Sequence, residues 1–255
     1  IVRRMIEYGW NKPEKGTVIC IPILNVYGFI HFSRYVPDGK DVNRSFPGNR
    51  NGSLASRVAY YLMRDIIPKI DYGIDFHTGG DDRSNYPQVR CMMSDEENVV
   101  LANAFNAPFT LNSPYRPKSL RQAAAKLGKR ILVYEGGESS RIDEHAIQEG
   151  LNGTRRILHH LGMTTKESPA AKHNNIYFAS SSWIRAKASG MFQTNVQNGQ
   201  KVLKKQLLGY ITDPFGDFKL PIKSQVDGYI VGLNNDPIIH QGDAVKHIGI
   251  QKEKI

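Results

Sequence analysis

Apolar and polar positions follow two different textures along the chain. Up to about residue 163, short apolar runs are separated by stretches of helical period. Thr17-Val18-Ile19-Cys20-Ile21-Pro22 is a mostly apolar run of strand length and predicts a buried strand. After Ser53, the residues Leu54, Val58, Leu62 and Ile66 recur at helical spacing, so a helix capped by Ser53 is expected. Tyr72 to His77 reads as a second strand ended by Thr78-Gly79-Gly80, and Val89 to Met93 as a third. Ser94 with Glu97 three residues on has capping-box spacing and predicts a helix start. Leu120 to Leu127 is helical in pattern and stops at Gly128, a residue suited to a left-handed C-terminal cap. Arg130 to Glu135 predicts a fourth strand running into Gly136-Gly137, and a long helix from about Ile142 ends at His160-Leu161-Gly162. Strands alternating with helices predict an α/β fold with a parallel or mixed sheet.

Beyond Gly162 the helical period disappears. Residues 164–175 are polar, contain Pro169 and read as a linker. From Ile176 the apolar runs are short and turn signals are frequent: Ser189-Gly190, Asn198-Gly199, Asp227-Gly228 and Gln241-Gly242-Asp243. The pattern predicts two domains, an α/β domain over 1–165 and a small all-β domain over 166–255. Gly190 followed by Asn198-Gly199-Gln200-Lys201-Val202 is echoed by Gly228 followed by Gln241-Gly242-Asp243-Ala244-Val245. Two such units closing on each other resemble the biotinyl/lipoyl hammerhead fold. No Glu-x-Lys-Met-type hairpin accompanies them, so neither lipoylation nor biotinylation is expected.

Composition narrows the class. With 255 residues, 40% hydrophobic and 23% charged, the chain can bury a substantial core without staples. No apolar run approaches the roughly 20 residues of a membrane span, so no membrane partner is expected. Two cysteines make no disulfide framework and suit a reducing compartment, and no secretory pattern is present, so a cytoplasmic location is expected. The net charge of +10 is spread evenly, with 22 Lys/Arg against 17 Asp/Glu through residue 165 and 12 against 7 after it. Without a basic run or a zinc-finger spacing this is no nucleic-acid footprint; diffuse positive charge instead steers acidic small molecules.

Three polar clusters could carry chemistry. The loop Ser33-Arg34-Tyr35-Val36-Pro37-Asp38-Gly39-Lys40-Asp41-Val42-Asn43-Arg44-Ser45-Phe46 holds two arginines, whose planar guanidinium groups suit a carboxylate clamp, though a solvated surface loop reads equally well. Asp75-Phe76-His77 ends a strand, where open α/β sheets bind ligands, with Asp75 and His77 on one side of it. Asp75 could then orient His77, although a histidine at a strand end is often structural. Glu135 leaves an apolar strand at Gly136-Gly137, a half-desolvated carboxylate that suits a general base or simply marks the strand's exit to solvent.

Taken together these segments resemble the succinylglutamate desuccinylase/aspartoacylase family, relatives of the zinc carboxypeptidases. The resemblance rests on Asn25-Val26-Tyr27-Gly28-Phe29, Ser33-Arg34-Tyr35, Asp41-Val42-Asn43-Arg44-Ser45-Phe46, Asp75-Phe76-His77 and Tyr134-Glu135-Gly136-Gly137. It implies a three-layer α/β/α carboxypeptidase-like domain, of phosphorylase/hydrolase-like type, and one Zn2+ per chain. It further implies His77 as a zinc ligand with Asp75 behind it, and Glu135 as the base that deprotonates water. Arg34 would polarise the scissile carbonyl or hold the acyl carboxylate, and Asn43 with Arg44 would grip the substrate carboxylate. The implied activity is cleavage of an N-acyl amino acid or a similar small acidic amide, in a possible homodimer. The family's other two ligands come from a His-x-x-Glu motif that is absent from all 255 residues. The chain opens on Ile1-Val2-Arg3-Arg4 within a helical pattern, so those ligands are expected upstream of Ile1. A peptidase trimming acidic peptides, or a non-catalytic binding homologue, are the alternatives. Arg116 or Arg121 could add a carboxylate contact, and Tyr177, Tyr210 or Tyr229 could complete the site. His159-His160 reads as a helix C-terminal pair and Cys91-Met92-Met93 as core.

Overall fold

In the computed structural model, which describes residues 1–251 except Asp81 and Ser168, the first 160 residues build three helices and then a mixture of strands and helices. They are α1 (Val2–Glu7), α2 (Val26–Ile30), α3 (Leu54–Asp65), β1 (Tyr72–Gly79), β2 (Arg83–Cys91), α4 (Glu96–Phe105), β3 (Phe109–Asn112), α5 (Leu120–Ala125), β4 (Arg130–Glu138) and α6 (Glu144–His160). Ser53 caps α3 as expected, its hydroxyl accepting from Ser56 N. The cap of α4 is Asp95 rather than Ser94, because its carboxylate reaches both Glu97 N and Asn98 N. Gly128 takes a left-handed φ of +70° after α5.

The layers follow from alternation along β4. Ile131 packs with α3 and α5 on one face of the sheet, while Leu132 and Tyr134 pack with α4 and α6 on the other. The sheet is mixed: β4 is parallel to β1 and antiparallel to β2. The expected strand over Thr17–Pro22 does not form. Residues 17–25 are irregular, and Ile19, Ile21 and Ile23 remain 43%, 38% and 41% exposed. An apolar run becomes a strand only where another strand meets its backbone, and among the described residues none pairs with it.

The C-terminal part is all strand, as its turn signals predict: β5 (Ile176–Phe178), β6 (Ser180–Arg185), β7 (Gly190–Thr194), β8 (Lys201–Val202), β9 (Leu207–Thr212), β10 (Lys219–Lys223), β11 (Gly228–Asn234), β12 (Ile238–Ile239) and β13 (Ala244–Ile250). Its core is its own, built around Val202, Leu208, Ile211, Ile230, Val245 and Ile248. Its strands divide between two sheets. β7, β9, β10 and β12 make a four-stranded sheet, while β5, β6, β8, β11 and β13 join a nine-stranded sheet with β1 to β4. The seam is the antiparallel pairing of β11 with β2, Gly232 opposite Asn85 and Asn234 opposite Arg83. Where a hammerhead closed on itself was expected, one sheet runs from β1 to β6 through both parts. No helix among the described residues is long and apolar enough to cross a membrane.

Candidate active site

Strand register assembles the site. In the parallel pair β1–β4, His77 lies opposite Glu135 and Asp75 opposite Val133. Side chains opposite one another share a face, and alternate residues along a strand do too. Asp75, His77 and Glu135 therefore project from the face that Ile131 and α5 share. His77 Nε2 lies 2.8 Å from Asp75 Oδ2, with both side chains about a quarter exposed at 23% and 25%. Burial works to lower the imidazole pKa. The Asp75 charge and hydrogen bond, with Glu135 adding to them, outweigh it and hold the ring above its ordinary value.

Glu135 is gripped from the other side by β2. Asn85 Nδ2 donates to Glu135 Oε2 at 2.5 Å, and Arg90 Nη2 lies 3.2 Å from the same oxygen. Neither residue stands out in sequence: Asn85 lies in the polar start of a strand whose apolar pattern shows only from Val89, and Arg90 is a lone charge near its end. The β4 strand carries on through Gly136 and Gly137 to Glu138, with Gly137 at a φ of +74°. Glu138 Oε2 accepts from Asn235 Nδ2 at 2.8 Å, a contact from the C-terminal part beside Glu135.

The arginine-rich loop is organised by a residue to which sequence reading gave no role, Asp41. Its Oδ1 caps the short 3-10 turn Val42–Arg44 by accepting from Asn43 N at 2.8 Å, and its Oδ2 pairs with Arg34 Nε at 2.9 Å. Asn43 Oδ1 in turn accepts from Leu120 N at 2.9 Å, which ties the turn to the start of α5 and leaves the Asn43 amide as donor. Arg44 is exposed and donates to the Asn43 carbonyl. The Arg34 charge works to lower the His77 pKa, against Asp75 and Glu135. Asn43 is tied to Arg34 through Asp41, with Arg44 next to it in the turn, and the contacts of the cluster itself join Asp75 to His77 and Glu135 to Asn85 and Arg90.

Other candidates fall outside it. Arg121 is buried and its guanidinium donates to the carbonyls of Arg90, Ser113 and Pro114, so it fastens β2 to a loop instead of facing a ligand. Arg116 is exposed, and its carbonyl receives Ser119 Oγ. Tyr177 donates to Asn103, Tyr229 packs on Phe109 and Phe178, and Tyr210 lies beneath Lys219. His159 and His160 end α6, and Cys91 is core, both as expected.

A catalytic zinc takes three protein ligands and a water. Among the described residues no group of three His, Cys, Asp or Glu side chains stands ready to hold a metal. His77 Nε2 is engaged by Asp75, and one oxygen of Glu135 is taken by Asn85 and Arg90. These residues do not fit a zinc shell on their own.

Residues 1–161 match the succinylglutamate desuccinylase/aspartoacylase catalytic domain. The N-alpha-acetyl-L-2,4-diaminobutyric acid deacetylase of Halomonas elongata is 25% identical over 246 residues, 91% of this chain and 71% of that protein. In shape, the chain is similar to the product-bound ectoine utilization protein EutE (DoeB) from Ruegeria pomeroyi. The TM-score is 0.84 at 24% identity, over 93% of this chain and 76% of that one. A succinylglutamate desuccinylase/aspartoacylase from Rhodobacter sphaeroides gives a TM-score of 0.85 at 22% identity, over 94% and 77%.

Proposed function

Because the chain belongs to the succinylglutamate desuccinylase/aspartoacylase family, we propose that it is an amidohydrolase that cleaves the amide bond of an N-acyl amino acid or a similar small carboxylate-bearing substrate. The observation that carries the reading is a mostly buried carboxylate, Glu135, held within β4 opposite His77 of β1. A carboxylate so placed can take a proton from water and return it to a leaving amine. The reading gains weight from a relative named as a deacetylase of an N-acetylated amino acid.

Each remaining group has a part that its geometry permits. Asp75 orients His77. Arg34, preset by its pair with Asp41, is the cation assigned to a developing oxyanion. The Asn43 amide and the exposed Arg44 guanidinium are donors for a substrate carboxylate. When bound in such a site, zinc supplies an acidified water and an electrophile. His77 is the ligand that the described residues would bring to it.

A second reading, a homologue that binds the same acidic ligands without turnover, fits the engagement of His77 Nε2 by Asp75 and of Glu135 Oε2 by Asn85 and Arg90. One experiment separates them. The protein is assayed for amine release from N-acetyl and N-succinyl amino acids and short acidic peptides, with and without added Zn2+. Turnover of N-acyl amino acids that falls about 100-fold or more in Glu135→Gln is expected. Saturable binding with no amine release would replace the enzyme by the binding homologue. Release from peptides alone would make it a peptidase.

A further inference from the structure

Glu135 Oε2 accepts from the Asn85 amide at 2.5 Å and pairs with the Arg90 guanidinium, whose Nη2 lies 3.2 Å away, while among the described residues no donor reaches Oε1. We propose that Arg90 and Asn85 are positioning residues that pin Oε2 and so make Oε1 the atom that takes the proton. The proposal rests on the amide-hydrolysis reading above and adds to it which oxygen works and what holds the other.

Both donors are fixed from behind. Asn85 is buried, at 7% exposure, and its Oδ1 lies 2.8 Å from the place a Cβ on Gly232 would occupy. Only a glycine at 232 leaves room for this Asn85 rotamer, so β11 backs the amide that steers Glu135. The Arg90 carbonyl is held by Arg121 Nη1 at 3.2 Å, and Arg90 Nε is buried without a partner. Glu135 is then the carboxylate to which the Arg90 guanidinium is committed. At 20% and 15% exposure the ion pair is far less screened than a surface pair.

The chemistry follows atom by atom. A lone pair of the water oxygen forms the new bond to the amide carbon, the carbonyl π pair moves onto its oxygen, and the water proton passes to Oε1. On collapse the carbonyl re-forms, the C–N bond breaks, and the nitrogen keeps that electron pair and takes the proton from Oε1. The products are a carboxylic acid and an amine.

The test uses Arg90→Met, Arg90→Lys, Glu135→Gln and the Arg90→Met/Glu135→Gln double variant. Arg90→Met should lower kcat about tenfold or more with KM changed less than about twofold, and Arg90→Lys should recover most of the loss. A rise in KM at constant kcat would make Arg90 a substrate clamp and overturn the proposal, as would an unchanged kcat. Melting temperatures supply a reading independent of turnover. The double variant should lose less than the sum of the two single losses, by about 2 °C or more, because removing either partner breaks the same pair. Additive losses would overturn the pairing. A wild-type protein without turnover on any amide would sink the amidohydrolase reading instead, and the melting cycle would still decide the pairing.

Discussion

Lys246 offers a quantitative test of the C-terminal core. Its side chain is fully buried on β13, with Nζ donating to Thr194 Oγ1 at 2.7 Å and lying 4.4 Å from the centre of the Phe192 ring. Among the described residues no carboxylate compensates it, and burial pulls its pKa from 10.5 to about 7. The folded pKa is depressed, so the unfolded chain binds the extra proton between these values and stability rises with pH there. The full effect is present above about pH 10.5 and is lost as pH falls toward about 7. At 1.36 kcal/mol per tenfold, the residue withholds about 4 kcal/mol of stability at pH 7 and about 2 kcal/mol at pH 9. Lys246→Met removes this penalty and forfeits one hydrogen bond of about 1 kcal/mol. Thr194 Oγ1 keeps its contacts to the Val196 backbone, so no orphan is created. The variant should therefore exceed the wild type by about 3 kcal/mol at pH 7 and by about 1 kcal/mol at pH 9. Urea unfolding followed by circular dichroism at both pH values measures the two differences. A variant no more stable than wild type at pH 7, or a gap that fails to shrink at pH 9, would refute the buried-amine argument.

Two further outcomes are expected. In α6, a Cβ on Gly153 would run into the Phe105 ring of α4; Gly153→Ala should lower stability by about 1–3 kcal/mol despite alanine's better helix propensity, and a stabilised variant in urea unfolding would show that the two helices have room to part. Asp41→Ala should cost about 1 kcal/mol by removing the cap of the 42–44 turn, whereas Asp41→Asn, which keeps an acceptor and loses only the half-exposed Arg34 pair, should cost a few tenths; equal losses in thermal melts would deny the cap its role.

Much of the fold and the centre of the site can be read from the chain. Period and caps locate α3, α5 and α6, and the runs ending in His77 and Glu135 locate β1 and β4, because each signal is local. The parallel register that sets His77 against Glu135 then follows from two adjacent strands of similar length. What stays hidden is pairing. The run at Thr17–Pro22 has the hydrophobicity of a strand, yet hydrophobicity says nothing of whether a neighbour exists to bond it. Asn85 and Arg90 escape notice because Pro87 and the polar Arg83-Ser84-Asn85 break the alternation, and only the bulged pairing with β4 turns them toward Glu135. Asp41 looks like one more loop charge until both its oxygens are seen at work. The division of the C-terminal strands between two sheets depends on contacts across more than a hundred residues, which no window of sequence contains.

Chain order gives the β2–β11 seam a place in time as well as in space. Gln88 Nε2 meets the Val231 carbonyl across 143 residues, so the seam closes a very long loop. Such closures come late in folding, and on a ribosome β11 emerges after all of β1 to β4. Asn85 gains its backing at Gly232 only then, so the carboxylate it steers is ordered late, after β11 has been made. In pulse-labelled hydrogen exchange during refolding, the Asn85 amide should acquire protection in the same slow phase as β11, and α3 and α6 before it.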